Sequence, residues 1–503
     1  MNKCFFDNKV FVIRTQPQYL IATYGTSGGV LSSNTGSHAA PTLSGGTDTL
    51  FSALESLLRA FNAGAFNAGI VSDSVFDSHP LLGWIVKPGD RVVVKPNLIR
   101  QSHLSRESEW DYVVTHGSVI KTVVDHVLAA LGGRGEVIIA DSPQTDSDFG
   151  EIVKRNGLWD IVESYKREGL PVRLLDLREE QWLGDNGVIR GKKKLPGDPE
   201  GYVTIDLGKD SAFHDYKGNG RFYGAYYDTE DTMRFHSQEE GRHAYVVSRT
   251  CLDCDVFINL PKMKTHKKTG ITLSMKNLVG ICTHKNSLPH YSLGTPDTGG
   301  DEYPASGLAQ KTLTLAARVF RESLLRFGSV IAPLARIAKR AVDGRLPEEI
   351  RRVRSGNWYG NDTIWRTVVD LNRILLWFDG DGKPRKVPRR YLTIVNGIIA
   401  EEGEGPMEPD PKPVGLLFGG TNPVAVDAVG ARLMGFDPYA IPMLTGALRQ
   451  ESFPIWDKEL TLDDIIVHSL GLEGFEGRLE DIKHPGFGFV PSIGWRGHIE
   501  FRG

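Results

Sequence analysis

The chain has 503 residues, 40% of them hydrophobic, so it is long enough to bury a large core. A formal net charge of −3 and a pI near 6.6 argue against a general nucleic-acid binder, which needs a basic excess over one face or domain. No stretch reaches the about 18 uninterrupted apolar residues of a membrane span, and no signal peptide is evident after Met1. Four cysteines in a chain this long are not a disulfide framework. We therefore expect a cytoplasmic protein with reduced thiols.

Four segments follow one another along the chain. A mixed N-terminal segment covers residues 1–84, and an α/β core follows over 85–300. A polar and aromatic insertion interrupts this core at about 185–245. An antiparallel ribbon is one structure that this segment could form. A helical segment over 301–385 leads to a C-terminal α/β portion over 386–503 that completes the core.

The predicted elements begin with a strand at Lys9–Arg14 and a helix at Leu50–Ala63. In the core, Asp90–Val94 and Glu136–Ala140 are apolar, strand-like runs. Between them, His116–Leu131 has apolar residues at three- and four-residue spacing, which predicts a helix. Strand, helix and strand at this spacing indicate parallel strands joined by right-handed crossovers. The predicted fold class is α/β, with a mostly parallel sheet and helices on both faces.

The remaining elements continue this alternation. They are a strand at Val172–Leu177, a helix at Thr363–Phe378, a strand at Tyr391–Val395, a loop at Pro406–Pro413, a strand at Gly415–Phe418 and a helix at Ala425–Met434. The glycine-rich tail after Gly474 is expected to wrap the body of the protein.

A basic, amphipathic helical pattern covers Pro304–Asp343. Its cations are Arg318, Arg321, Arg326, Arg336, Lys339 and Arg340. Two interpretations stay open: the helix faces an anionic membrane surface or a partner, or it packs as a surface helix on its own domain.

The stretch from Cys251 to Tyr291 is the most informative part of the chain. An apolar run at Val256–Leu260 ends at Pro261, and the pattern predicts a cation-rich loop after it. This loop and its continuation carry Lys262, Lys264, His266, Lys267, Lys268, Lys276, Lys285 and His290. Cations gathered at one strand end repel each other, so the pattern favours a bound anion. The alternative is a solvated basic loop.

Polar residues follow two other predicted strands in the same way, at Lys95–Asn97 and Asp141–Ser142. Ligands of parallel sheets bind outside the carboxyl ends of the strands. If these strands are neighbours, the loops meet at one place and bind a small anionic ligand. The candidate ligand-binding residues are Lys95, Asn97, Asp141, Ser142, Lys262, Lys264, Lys268, Lys276 and Asn277.

Acid–base candidates lie in two places. His266 is surrounded by lysines, whose charge lowers its pKa and favours the neutral imidazole, a base or a metal ligand. Glu401, Glu402 and Glu404 form an acidic, glycine-containing turn. Glu402 and Glu404 either complete an acid–base pair with the lysines that follow Pro261, hold a cation, or only compensate charge. The catalytic candidates are therefore His266, Glu402 and Glu404.

Cys251 and Cys254 form a CxxC motif, with Cys282 downstream. A zinc site needs further ligands, and no second CxxC is present. Metal binding, redox chemistry and simple burial as small apolar side chains all stay open for this pair.

Several long motifs carry a family resemblance. VVVKPNL, INLPKMKTHKKTGITLSMKNLVG, GEGP and TNPVAVDAVGARLMGFDP occur in this order between Val92 and Leu448. They resemble the prokaryotic "domain of unknown function" family numbered 362. The resemblance implies a fold and a site without an established reaction, and one subgroup suggests a polysaccharide-related biosynthetic setting. Some members of this family carry a ferredoxin-like segment, for which this chain lacks the closely spaced cysteines.

The order of motifs is also similar, more distantly, to the amino-terminal half of nickel-pincer lactate racemases. That similarity implies an acid–base role for His266, attachment of the pincer nucleotide to Lys276, and nickel binding by His290, with Arg100 as the early arginine of the site. Two features differ: SMKN stands in place of a glycine-rich stretch, and Asp141–Gln144 stands where the racemases have an earlier histidine.

Three functional hypotheses remain. The first is an enzyme that binds a small anionic substrate or nucleotide-like cofactor at the strand ends. The second is a nickel-pincer racemase or epimerase, and the third is a non-enzymatic anion-binding or membrane-docking scaffold. The sequence names no substrate, cofactor or oligomeric state.

Overall fold

The computed structural model describes residues 7–16, 49–67, 80–185, 188–224, 229–305, 307, 310, 313–315 and 347–502. The basic residues predicted on the helix at 304–343, from Arg318 to Arg340, lie outside the described residues. Within the described ranges, no helix combines the length and apolarity needed to cross a bilayer.

The strands, in chain order, are β1 (Lys9–Arg14), β2 (Arg91–Pro96), β3 (Glu136–Asp141), β4 (Val172–Asp176), β5 (Glu180–Asp185), β6 (Val188–Lys194), β7 (Tyr202–Asp206), β8 (Phe222–Tyr223), β9 (His236–Ser237), β10 (Arg242–Ser248), β11 (Val256–Leu260), β12 (Lys262–His266), β13 (Gly270–Thr272), β14 (Tyr291–Ser292), β15 (Arg390–Glu404), β16 (Glu408–Gly420), β17 (Ile466–Leu470) and β18 (Gly477–Arg478).

The α-helices of the described residues are α1 (Thr49–Asn67), α2 (Gly117–Leu131), α3 (Phe149–Arg155), α4 (Leu158–Arg167), α5 (Thr229–Phe235), α6 (Arg249–Leu252), α7 (Ser274–Asn277), α8 (Glu348–Val353), α9 (Ile364–Trp377), α10 (Pro423–Met434) and α11 (Pro442–Leu448).

A mostly parallel, eleven-stranded sheet organises the described part of the chain. Its main order is β18-β17-β1-β16-β15-β11-β2-β3-β4, with β12 added to β15 and β13 to β12. The five strands β15, β11, β2, β3 and β4 run parallel to one another. The predicted α/β class with a mostly parallel sheet is confirmed.

Helices cover both faces of this sheet because its central strands are apolar on both sides. On β2, Val93 packs into the core beneath α9, α10 and α11, whereas Val92 and Val94 pack into the core beneath α1, α2 and α4. All of these valines are fully buried. Side chains on both faces of the sheet are therefore buried, and this requires the helices on both faces that the sequence predicted.

Two predicted loops are strands. Of the segment 406–413, predicted as a loop, residues 408–413 belong to β16, which pairs antiparallel with β15. The lysine-rich segment after Pro261, also predicted as a loop, forms β12, and all five of its residues are buried. The prediction was wrong because it equated lysine with exposure, whereas these lysines lie inside the protein. Apart from the helix predicted at 304–343, most of which lies outside the described residues, the other predicted strands and helices are confirmed, with bounds that shift at their ends.

The predicted insertion at about 185–245 begins with the antiparallel ribbon of β5 and β6. It continues into a small sheet in the order β7-β10-β9. The C-terminal tail packs beside β13: a β-carbon at Gly270 would lie 2.6 Å from Ile499 Cδ1 and 3.1 Å from an atom of the Trp495 ring.

A buried carboxylate holds the short helix α7 in place. Asp427, fully buried on α10, accepts hydrogen bonds from the backbone N–H groups of Ser274 at 2.6 Å and Met275 at 3.0 Å. These are N–H groups of the first turn of α7, which has no intrahelical acceptors for them. The contact fixes the segment that carries Lys276 and Asn277 against the body of the protein.

We predict that Asp427→Ala lowers the free energy of unfolding by about 1–3 kcal/mol or more, because it leaves two buried N–H groups without an acceptor. Denaturant unfolding followed by circular dichroism measures this change. Asp481→Ala, at an exposed position, is the control and should leave stability unchanged. Equal stability of both variants would contradict an anchoring role for Asp427.

Candidate anion-binding site

The carboxyl ends of β2 and β3 are joined by a buried ion pair. Lys95 Nζ lies 2.8 Å from Asp141 Oδ1, and both side chains are almost fully buried. Asp141 Oδ2 also accepts a hydrogen bond from the N–H of Leu98 at 2.8 Å. Gly280 closes over this pair, because a β-carbon there would lie 2.1 Å from Asp141 Oδ1 and 2.6 Å from Lys95 Nζ. Two of the three predicted strand ends are therefore in direct contact.

A chain of amide hydrogen bonds connects these strand ends to β12 and α7. Lys264 Nζ donates to Asn97 Oδ1 at 3.0 Å, and Asn97 Nδ2 donates to Asn277 Oδ1 at 2.8 Å. Asn277 Nδ2 in turn donates to Asn259 Oδ1 at 2.7 Å. Residues far apart in the sequence thus meet at one place, since β11 lies next to β2 in the sheet.

Five buried lysines gather here, and we call them the lysine cluster: Lys95, Lys262, Lys264, Lys276 and Lys285. Two buried carboxylates, Asp141 and Glu401, lie among them. Ammonium groups in a low-dielectric interior are costly unless they are paired. The five lysines of the cluster therefore outnumber the two carboxylates that lie among them in the described part of the chain.

Lys262 and Lys264 share one carboxylate. Burial lowers the pKa of Lys262 to about 7, against the opposing effect of the Glu401 charge. Burial likewise lowers the pKa of Lys264, whose Nζ lies 3.6 Å from Glu401 Oε1. Burial raises the pKa of Glu401 to about 7 despite both ammonium groups. Burial thus moves the pKa of Glu401 up and the pKa values of both lysines down, towards one another.

Lys276 has no counter-charge among the residues that the structure describes. Burial lowers its pKa to about 7, and the ammonium groups of Lys264, Lys285 and Lys95 lower it further. Among the described residues, no carboxylate pairs with it and no acceptor receives its hydrogen bonds. Lys276 as a whole residue is 9% exposed, so it is the least buried lysine of the cluster.

Two neutral imidazoles flank Lys276. His266 Nδ1 accepts hydrogen bonds from the backbone N–H groups of Lys268 and Thr269, which leaves the ring proton on Nε2. His290 Nδ1 lies 2.7 Å from the carbonyl oxygen of Leu288, so it carries the proton and Nε2 is bare. Burial, then the charge of Lys276, lowers the pKa of both rings, in His290 to about 3.

Three other predicted residues have varied roles. Lys285 Nζ donates to the carbonyl oxygens of Ser142 at 2.8 Å and Cys282 at 2.7 Å, and burial lowers its pKa to about 8. Ser142 Oγ is buried without a hydrogen-bond partner among the described residues. Lys268 donates to the carbonyl oxygen of Ser355 and lies 5.0 Å from the centre of the Tyr291 ring.

Arg100 follows β2 and lies near carboxylates rather than in the lysine cluster. Burial lowers its pKa, opposed by the charges of Asp146 and Glu408. Its Nε is buried and has no hydrogen-bond partner among the described residues.

Glu402 and Glu404 face the C-terminal tail. Glu402 accepts a hydrogen bond from the N–H of Val490 at 2.9 Å and pairs with Lys412 at 3.0 Å. Glu404 accepts one from the N–H of Ile493 at 2.7 Å. The structure instead brings Glu401 to the lysines. Neighbouring side chains on a strand point to opposite faces, so Glu401 and Glu402 cannot both face the lysines. The sequence could have shown this only if β15 had been predicted to extend to Glu404.

The CxxC cysteines are buried beneath the sheet. Cys251, Cys254 and Cys282 are free thiols, and Cys254 Sγ donates to the carbonyl oxygen of Cys251 at 3.2 Å. Burial raises the pKa of both thiols of the motif, which disfavours the reactive thiolate. In the described ranges, no group of three or more His, Cys, Asp or Glu side chains is placed to hold a metal ion, and this covers His290 as well as the cysteines.

The sequence profile of one family matches residues 92–194 and 210–432, more than half of the chain. The chain belongs to the family called Domain of unknown function (DUF362). The DUF362 match contains every lysine of the cluster together with Asp141 and Glu401. Strands β1, β17 and β18 and the tail lie outside the matched residues, although β1 and β17 complete the same sheet.

A curated relative of this DUF362 chain is the Thylakoid-associated protein sll1697 of Synechocystis sp.. The two are 23% identical over 368 residues, which cover 73% of this chain and 70% of the relative. The similarity therefore extends over most of both proteins.

We predict that Lys276→Met raises the melting temperature of the ligand-free protein. A lysine whose folded pKa is about 7 and whose ordinary value is 10.5 destabilises the folded state below pH 7, and this cost fades as pH rises to 10.5. The gain should thus be largest below pH 7 and shrink towards pH 10.5, as measured by differential scanning calorimetry.

Lys285→Met is the matched comparison. It also removes a buried ammonium, but it leaves the carbonyl oxygens of Ser142 and Cys282 without their donor, so the melting temperature should fall. If Lys276→Met lost as much stability as Lys285→Met, Lys276 would have a stabilising partner, and the prediction would be wrong.

Proposed function

We propose that this chain is an enzyme that binds a small anionic substrate or a nucleotide-like cofactor in the lysine cluster, at the carboxyl ends of the strands. The observation that carries the proposal is the buried ammonium of Lys276, which no described carboxylate or acceptor pairs with and which three other lysines repel. An anion bound beside it would supply the missing charge.

Charge balance supports an anionic rather than a neutral ligand. Asp141 pairs with Lys95, and Glu401 lies between Lys262 and Lys264, so neither is available to Lys276. Keeping several ammonium groups buried costs free energy that a folded protein offsets elsewhere. Groups held against this cost are typical of functional sites.

Unpartnered polar atoms support the same proposal. Ser142 Oγ, Thr272 Oγ1 and both oxygens of Glu401 are buried without hydrogen-bond partners among the described residues. Buried polar groups are usually hydrogen-bonded. A ligand with its own donors and acceptors, or water, would satisfy these atoms.

The chemistry that this arrangement supports is proton transfer next to a stabilised negative charge. Lysine ammonium groups would neutralise charge that develops on the substrate. The neutral imidazole of His266, with its proton fixed on Nε2, would donate or accept a proton. The predicted roles of Glu402 and Glu404 receive less support, because their carboxylates bind backbone N–H groups of the tail.

The setting of this chemistry is also proposed rather than established. We place the enzyme in the cytoplasm because of its cysteine content, and in a biosynthetic, polysaccharide-related pathway because of the family resemblance. The name of the Synechocystis relative describes that protein as thylakoid-associated. For the present chain, association with a membrane surface is a separate proposal.

We expect oxyanions such as phosphate, sulfate, dicarboxylates or nucleotides to raise the melting temperature of the protein. A ligand at about 100 times its dissociation constant adds about 2.7 kcal/mol to the free energy of unfolding. Lys264→Met and His266→Ala should remain folded and lose this stabilisation, because both side chains lie in the site. Differential scanning fluorimetry against an anion panel measures the effect.

Lys458→Met, which removes an exposed lysine, is the control and should respond to anions like the wild type. If no anion in the panel stabilises the wild type, or if all variants respond equally, anion binding in the cluster is refuted. Binding without turnover of any bound compound would favour the scaffold hypothesis over the enzyme.

A second candidate is the nickel-pincer racemase or epimerase. The residues that this resemblance selects, His266, Lys276 and His290, lie close enough for Lys276 to affect the pKa of both imidazoles. The bare Nε2 of His290 suits a metal ligand, and the unpaired amine of Lys276 suits attachment of a cofactor. The pincer nucleotide would supply nickel-dependent hydride chemistry when bound.

Native mass spectrometry and metal analysis of the purified protein distinguish the two candidates. A racemase of this type predicts nickel and a covalent mass adduct on Lys276, both absent from Lys276→Met. Nickel-free, unmodified protein that still binds anions would exclude the second candidate and leave the first.

A further inference from the structure

Glu401 has an unusual environment for a buried carboxylate. It is fully buried on β15, and neither of its oxygens accepts a hydrogen bond from a described residue. The ammonium of Lys264 is 3.6 Å from Oε1, which is beyond hydrogen-bond distance. A buried carboxylate normally accepts several hydrogen bonds, since its desolvation is otherwise costly.

The neighbouring acids show that this is specific to Glu401. Glu402 and Glu404 lie on the same strand end and have backbone N–H donors from the tail. Glu402 also has an ammonium at 3.0 Å. The strand thus satisfies two of its three acidic side chains and leaves the third facing the lysines.

Irregular strand pairing places Glu401 there. Between β12 and β15 the register shifts, so that Lys262 pairs with Asn396 while Lys264 pairs with Glu401. The pairing of β15 with β16 also shifts, between Gly397 and Ile399. Such irregularities redirect side chains and are common next to active sites.

The charged and titratable groups that act on Glu401 are few. Lys262 and Lys264 face it from β12, and its charge is felt by Tyr112 in the segment before α2. Burial raises the pKa of Glu401 to about 7, with both ammonium groups opposing the rise. A pKa near neutrality makes the protonation of Glu401 sensitive to any charge that binds beside it.

We propose that the site takes up its anion together with a proton, and that Glu401 holds this proton and donates it as a hydrogen bond to the bound oxyanion. This inference rests on the proposed anion-binding function and specifies its ligand as an oxyanion. It assigns the acid–base carboxylate of the site to Glu401 in place of Glu402 and Glu404.

The physical reason is charge repulsion. A bound dianion next to Glu401 disfavours its carboxylate, so the carboxylate takes a proton from the solvent and becomes a neutral acid. The new O–H group then has an acceptor in the anion, and the orphaned oxygens of the free site gain a partner. Lysines of the cluster also take up protons on binding, so Glu401 accounts for one part of the total uptake.

Isothermal titration calorimetry of the full chain with sulfate tests this inference. Sulfate is the probe because it keeps both charges throughout the neutral range. Titrations at pH 7 in two buffers of different ionisation enthalpy give the number of protons taken up per sulfate bound. Because the free carboxyl is about half protonated at its pKa, Glu401→Gln should remove up to about half a proton from the wild-type uptake.

Glu402→Gln is the matched control and should keep the wild-type uptake, because its carboxylate faces the tail. Sulfate binding with unchanged uptake in Glu401→Gln would overturn the inference and reduce Glu401 to a counter-ion, while the proposed function would stand. Failure of sulfate to bind the wild type would overturn both.

If Glu401→Gln does not fold, infrared difference spectroscopy of the wild type replaces it. Sulfate should increase the absorption of protonated carboxyl groups, shifted by carboxyl-specific ¹³C labelling of glutamate. A difference spectrum with sulfate bound and no gain of protonated glutamate would refute the proton-holding role.

Discussion

The burial of ammonium groups at the ends of parallel strands is the constraint on which the rest of this structure depends. Charges of one sign do not gather inside a protein unless something holds them there, because desolvation and mutual repulsion both oppose it. Here specific groups stabilise the ammonium groups. Asp141 pairs with Lys95, carbonyl oxygens accept from Lys285, and Glu401 lies 3.6 Å from Lys264. Within the described ranges Lys276 receives none of these, and its position is fixed through the backbone of α7 instead.

The fold serves this arrangement through order and contact. Placing β11 beside β2, with β3 next to it, brings the ends of three strands to one edge. Asn97, Asn259 and Asn277 then link those ends through side-chain amides that donate and accept at once. A glycine at 280 is needed where the chain passes the Lys95–Asp141 pair, since any β-carbon would displace it. Neutral hydrogen-bonding groups thus surround the charges without cancelling them.

Much of the framework was predictable. The strand Lys9–Arg14, the helix ending at Leu131 and the strands before Lys95 and Asp141 follow from apolar periodicity, which reports burial directly. Periodicity failed at β12, where lysines fill a fully buried strand, and at the start of β16, where prolines and charges suggested a loop. Both errors have one cause. A residue type indicates only its usual degree of exposure and its usual secondary structure, and these residues depart from both.

By itself, the sequence determined the α/β class, the membership of lysines and histidines in one segment, and the expectation that strand ends converge. These features depend on local patterns and on general rules of parallel sheets. Only the tertiary structure decided which acid meets the lysines, which lysine has no described carboxylate beside it, and which nitrogen of each imidazole keeps its proton. Those properties depend on register shifts and on contacts between residues far apart in the chain, such as Lys264 with Asn97 and with Glu401, and no local pattern encodes them.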